Sequence, residues 1–194
     1  MQPIASLSGK IGMKHFLYSI WEIAEVVLIA LITVFVVRNF LVQPFLVNGA
    51  SMEPNFHGGD YLIIDEISYR LRQPERGEVI VFHYPNDEST YFIKRVIGLP
   101  GERIVLKDGK AKIFNNEQPQ GFILDENYLS SYVSTYGDKD ATLKDGEYFV
   151  LGDNRGASFD SRNWGALKKS EIIGLVRLRL WPINKVMAFE KPAY

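Results

Sequence analysis

A serine attacks a carbonyl only when a neighbouring group takes its proton, and this chain holds few groups able to do so. Ser51 lies in Asn48–Pro54 (NGASMEP), after Gly49 and Ala50, small residues that let a backbone N–H approach a developing oxyanion. Histidine is the usual base. His57 stands in a Gly-Gly turn and His83 ends an apolar run, neither at a recognised spacing, and G-x-S-x-G and S-x-x-K motifs are both missing. Lys94, in Tyr91–Pro100 (YFIKRVIGLP), is the better candidate. In a strand it shares a face with Phe92 and Val96 while Arg95 turns away with Ile93, and apolar neighbours push an ammonium toward its neutral form. A lysine base near neutrality must fall from about 10.4 to about 7–8.5, at a cost of roughly 3–4 kcal/mol. Arg95 stays protonated and has no such role. Each feature alone also has a plain structural reading: a serine in a small-residue turn, and a strand lysine reaching for water.

A third segment, Gly152–Gly165 (GDNRGASFDSRNWG), is dense in polar residues around one tryptophan. It suits a loop tied by its own ion pairs, holding a neighbouring site rigid. A calcium loop is disfavoured because Asp153 and Asp160 alternate with Arg155 and Arg162. With no cysteine and three scattered histidines, no thiolate or histidine-rich metal site is expected, and the reading calls for no cofactor. A net charge of −1 makes nucleic acid a poor partner.

These groups must be positioned by a domain and, before it, a membrane element. Val26–Val37 holds one polar residue, Thr33, but spans only about 18 Å of helix against a core of about 30 Å. Extension over Leu17–Val42 supplies the length, with Glu22, Glu25 and Arg38 near the ends. Residues 20–42 are read as an uncleaved signal-anchor, since no small-x-small cleavage site follows Val37. Lys10 and Lys14 place residues 1–19 in the cytoplasm, which makes a single-pass protein of the cell membrane with residues 43–194 outside.

Those exported residues alternate short apolar runs with turns: Tyr61–Asp65, Glu78–Phe82, Tyr91–Leu99, Ile104–Leu106, Lys112–Phe114, Tyr148–Leu151 and Gly174–Leu180. Asp108-Gly109 marks a hairpin, and Asp145-Gly146 opens another strand. One short helix is expected over Lys168–Ile173, and an irregular excursion over Asn115–Lys144. The fold class is mainly β, a β-rich extracytoplasmic domain on one N-terminal transmembrane helix.

The ordered set resembles the type I signal peptidases, in their short single-anchor branch. The motifs are S-M-x-P at Ser51–Pro54, RGEVIVF at Arg76–Phe82, K-R-V-I-G-x-P-G-E at Lys94–Glu102, and G-D-N-R-x-x-S-x-D-S-R-x-W-G at Gly152–Gly165, behind an anchor. The resemblance implies a serine endopeptidase that removes signal peptides, with Ser51 as nucleophile and Lys94 as base. It implies that Ser158 orients the Lys94 amine and that Asp160 and Arg162 form a supporting ion pair. Some relatives carry a serine or threonine where Gly49 stands, so a backbone N–H or a water is expected to replace that oxyanion donor beside the Ser51 amide. The S-M-x-P-T pattern ends in Asn55 instead of threonine.

The extended Gln43–Asn48 run is expected to pair with substrate backbone, over shallow pockets formed by Phe45, Val47, Met52, Phe92 and Ile93. Such pockets suit exported preproteins with small residues at −1 and −3. Phe40–Val47 is expected to rest an apolar edge on the lipid bilayer. Two rivals stand beside this reading: a noncatalytic tethered β-domain that binds exported proteins, and a self-cleaving serine-lysine protease of the SOS-repressor type, whose usual DNA-binding region is replaced here by an anchor.

Overall fold

Eleven apolar residues out of twelve, broken only by Thr33, leave a helix with no polar stripe, and the N-terminal element is built that way. In the computed structural model, which describes residues 8–40, 42–130 and 132–192, helix α1 runs Ser8–Phe40. Its stretch His15–Phe35 is long and apolar enough to cross a bilayer, and Trp21, Leu28, Leu31 and Val34 are all exposed on it. The hydroxyls of Ser19 and Thr33 donate to the helix's own carbonyls, His15 O at 3.1 Å and Ile29 O at 2.8 Å. These two hydroxyls are thereby satisfied without water. The side chain of Phe40 lies outside the described residues.

Residues 42–194 form a separate compact unit. Its strands are β1 (Val42–Leu46), β2 (Tyr61–Asp65), β3 (Val79–Tyr84), β4 (Asp87–Gly98), β5 (Arg103–Lys107), β6 (Lys110–Phe114), β7 (Phe122–Ile123), β8 (Lys139–Thr142), β9 (Glu147–Leu151), β10 (Leu167–Lys168), β11 (Ile172–Trp181) and β12 (Met187–Ala188). The larger sheet has the order β1-β2-β11-β3-β4-β9-β10, with β12 beside β11, and the smaller has β7-β6-β5-β8. All pairings are antiparallel.

Each of the seven apolar runs lies wholly or mainly within a strand. The Asp108-Gly109 turn joins β5 to β6, with both residues at positive φ. Val79–Phe82 is buried on both faces because β3 has core on either side. Val79 and Val81 pack with Val47, Met52 and Leu62, while Ile80 and Phe82 pack with Val96, Tyr148 and Val150. A third cluster, including Ile97, Ile104, Ile113 and Phe149, fastens the smaller sheet to the larger.

Two expectations differ from the structure. Lys168–Ile173 is a 3-10 turn, Lys169–Glu171, between β10 and β11, because Ile172 and Ile173 already belong to the long strand. Helices of four residues form instead at α2 (Ser68–Leu71) and α3 (Ser161–Trp164). The excursion over 115–144 is less irregular than its composition suggests, since β7 and β8 pair with the two strands of the smaller hairpin.

For the site, the decisive feature is an unequal pairing. Strand β4 follows β3 back through Asp87, but pairs with β9 only from Arg95 onward. The edge just before Arg95 therefore has no strand partner on that side among the described residues, and β1 is itself an edge strand.

Candidate active site

Ser51 is carried by a turn between β1 and β2 that is bonded at its base: Val47 N–H donates to Asp60 O and Gly59 N–H to Val47 O, both at 2.9 Å. Gly49 sits in this turn at φ +86°, a conformation that suits glycine. Among the described residues the Ser51 amide has no hydrogen-bond partner, so it is free to receive an oxyanion.

Lys94 arrives from β4, and its Nζ stands 2.8 Å from Ser51 Oγ although 43 residues separate the two in sequence. The same amine donates to Ile93 O at 2.8 Å, and the Phe92 ring lies 5.1 Å away. The residue is 3% exposed. Burial drives its pKa from 10.5 down to about 8, against the opposing pull of Asp160 and Asp153, which favour the cation. A substantial fraction of Lys94 is thus neutral near pH 8 while in contact with a hydroxyl.

The polar loop closes over this pair. Asp160 is fully buried and takes Arg162 through both oxygens, at 2.8 and 2.9 Å, as expected. It also caps α3 by accepting from Arg162 N–H, and accepts from Gly152 N–H at 3.1 Å. Gly152 must be glycine: a Cβ there would meet Ser158 Oγ at 2.2 Å and Ser51 O at 2.4 Å. The expected bond from Ser158 to the Lys94 amine is not made. Ser158 Oγ is buried against Gly152 with no partner among the described residues, and the amine is held by Ser51 and Ile93 O.

A cleft of about 640 Å³ opens before the pair, with Phe45, Val47, Phe92 and Ile93 among its walls. Met52 does not line it. At 1% exposure it lies in the core with Phe56 and Leu62, where it supports the floor. Thr90, Tyr91 and Phe159 line the cleft as well, and an edge-on contact between Phe45 and Tyr91, centroids 5.4 Å apart, joins β1 to β4.

Residues 20–181 match the signal peptidase, peptidase S26 family, a stretch that contains every group just described. The chain belongs to that family. Signal peptidases are also its curated relatives. A probable signal peptidase I-2 of Synechocystis sp. is 37% identical over 171 residues, covering 85% of this chain and 75% of the relative. A signal peptidase I of Leptolyngbya laminosa is 37% identical over 158 residues, 77% of this chain and 74% of the relative. A signal peptidase IB of Staphylococcus aureus is 30% identical over 168 residues, 81% and 87% respectively. A crystal structure of a signal peptidase I from Enterococcus faecalis V583 is 32% identical, covering 54% of this chain and 97% of that one at a TM-score of 0.45. Like the rest of the S26 signal peptidases, this chain is a serine endopeptidase.

Three contacts around the site are not foreshadowed in the sequence. Arg95, next to Lys94, is buried and pairs with Asp153 at two points, Nε–Oδ1 2.8 Å and Nη2–Oδ2 2.6 Å. Arg155, also buried, ties the loop to Glu126 at 2.6 Å, to Tyr128 Oη at 3.1 Å and to Thr135. Asn55 reaches Asp153 from the Ser51 turn at 2.8 Å. Alternation along β4 turns Arg95 into the fold, and a buried arginine demands a carboxylate, but only the fold selects Asp153 from the acids available.

Proposed function

We propose that this peptidase removes signal peptides from exported preproteins by means of a Ser51–Lys94 dyad. The observation that carries the reading is the 2.8 Å contact between the serine hydroxyl and an amine that burial has brought to a pKa of about 8. Neutral Lys94 accepts the Ser51 proton as Oγ adds to the scissile carbonyl, and the new oxyanion takes the Ser51 N–H, with the peptide unit at Gly49 open beside it. Collapse of the adduct passes the proton from Lys94 to the departing amine and leaves an acyl-enzyme. Lys94 then draws a proton from water as its oxygen adds to the ester, and returns that proton to Ser51 Oγ as the acyl bond breaks, which restores the hydroxyl and the neutral amine. Ser158, with an unpaired hydroxyl in the same loop, is available to orient the amine once Lys94 carries the proton.

Substrate enters as an extended strand in the space between β1 and the open edge of β4. Val47 and Ile93 make the pockets shallow, which favours small residues at −1 and −3. A lipid-facing edge is supported by exposed Leu46, Tyr61 and Trp181, cross-strand neighbours on β1, β2 and β11. Phe45, by contrast, turns inward onto Tyr91, because alternate residues of β1 face opposite ways. Lys10 and Lys14 favour a cytoplasmic N-terminus, with the catalytic unit on the far side of a single span.

The test is cleavage of a model preprotein by the full chain in vesicles. Ser51→Ala and Lys94→Ala should each abolish cutting, and full activity in either variant would overturn the dyad.

A further inference from the structure

Asn55 stands four residues after Ser51, where the S-M-x-P-T pattern has threonine. Its carboxamide donates to Asp153 Oδ2 at 2.8 Å and to the Tyr128 carbonyl at 3.1 Å. A threonine hydroxyl has one proton to give; the carboxamide has two. Asp153 is completely buried, and its two oxygens also hold Arg95, the residue bonded directly to Lys94. Asn154, the next residue, grips the other end of the turn, donating from its backbone to Ser51 O at 3.1 Å and from its side chain to Ala50 O at 3.0 Å. Behind the turn Arg179 donates to Asn55 O and pairs with Asp60 at 2.9 Å. The turn is therefore held at residues 50–51 by Asn154 and at residue 55 by Asp153. The second grip continues, through a single carboxylate, into the strand that bears the base.

We propose that Asn55 is a positioning residue for the Ser51–Lys94 pair: its carboxamide ties the nucleophile's turn to the Arg95–Asp153 ion pair beside the base and so fixes the gap the proton crosses. This rests on the dyad reading above. Proton transfer is sensitive to that gap, and a displacement of about 1 Å costs on the order of 100-fold in rate. A loosened turn also admits water to the amine. The charged groups that act on Lys94 are Asp160 and Asp153, each already paired with an arginine, and the Phe92 ring covers it on one side. Hydration would favour the cation and displace the rise of activity to higher pH.

The experiment measures kcat, KM and the pH dependence of kcat for the full chain in vesicles with a model preprotein, on wild type, Asn55→Ala and Asn55→Thr. Thermal melting gives the folded fraction by which each rate is corrected. Asn55→Ala should lower kcat by roughly 10- to 100-fold with KM within about twofold, and shift the pH midpoint in the alkaline direction. Asn55→Thr, with one donor left, should fall between alanine and wild type. A role in stability alone would lower the melting temperature while folded molecules kept the wild-type kcat and pH midpoint. That result, or a loss confined to KM, overturns the proposal. If Asn55→Ala does not fold, Asn55→Thr is judged by the same two outcomes. Ser51→Ala, run in parallel, separates the two readings: activity there sinks the dyad, whereas an inactive Ser51→Ala beside an unaltered Asn55→Ala sinks the brace alone.

Discussion

Lys94 shows what burial of one amine does to both stability and reactivity. The folded protein holds it at a pKa of about 8 against an ordinary 10.5, so below pH 8 the fold carries a buried cation that the unfolded chain would solvate freely. The folded state thus binds protons less readily than the unfolded one, and this residue's penalty is full below pH 8 and disappears above 10.5. Replacing it with methionine, of similar length and no charge, should stabilise the protein at neutral pH by up to about 3 kcal/mol while abolishing activity. Denaturant melts of Lys94→Met and wild type at several pH values check this, and the gap between them should narrow as pH rises. On the proposed dyad, activity has the same origin. The rate should climb with pH through about 8 as neutral Lys94 accumulates, and Lys94→Arg should be as inactive as Lys94→Ala because guanidinium cannot accept the proton. An acid optimum, or a working arginine variant, would contradict the assignment of Lys94 as base.

The elements divide into those written in local sequence and those settled by tertiary contact. Short apolar runs between turn residues mark the β strands well, and Asp108-Gly109 fixes one hairpin, because run length and positive φ are local properties. The short helices were illegible for the opposite reason. Ser161–Trp164 exists because Asp160 caps it while gripping Arg162 and Gly152 N–H, contacts that no helix propensity encodes. The proposed dyad was legible as two residue types in two recognisable motifs, yet the Asn55–Asp153 bond was not, since the two residues lie 98 positions apart. Asp160 belongs to this scale, as the peg of the polar loop. Asp160→Asn should remove the charge that Arg162 requires and destabilise the protein by about 3–5 kcal/mol, as expected for breaking a buried pair. Its activity should fall beyond what the lost folded fraction explains, since Gly152 and Ser158 then lose their support. Thermal melts with rates per folded molecule would test this, and a variant of unchanged stability would refute the peg.

At the scale of the whole molecule, helix α1 and the β unit are separate bodies joined at Val42, and the site is assembled entirely within the second. The proposed catalytic geometry should therefore not depend on the helix, whereas encounter with a membrane-held substrate should. A preprotein whose signal segment occupies the bilayer meets an anchored enzyme at an effective concentration set by their shared surface, and in the millimolar range for a short tether. Residues 42–194 alone should keep the unfolding transition of the β unit and cleave a short water-soluble peptide with the kcat of the full chain. The same fragment should lose most of its advantage on a preprotein embedded in vesicles, and exposed Leu46, Tyr61 and Trp181 should hold only a remnant of it at the lipid surface. Comparing the two proteins on the two substrates isolates tethering from chemistry. Equal loss on both would mean that the helix shapes the site itself, and no loss on either would mean that the bilayer takes no part in bringing enzyme and substrate together.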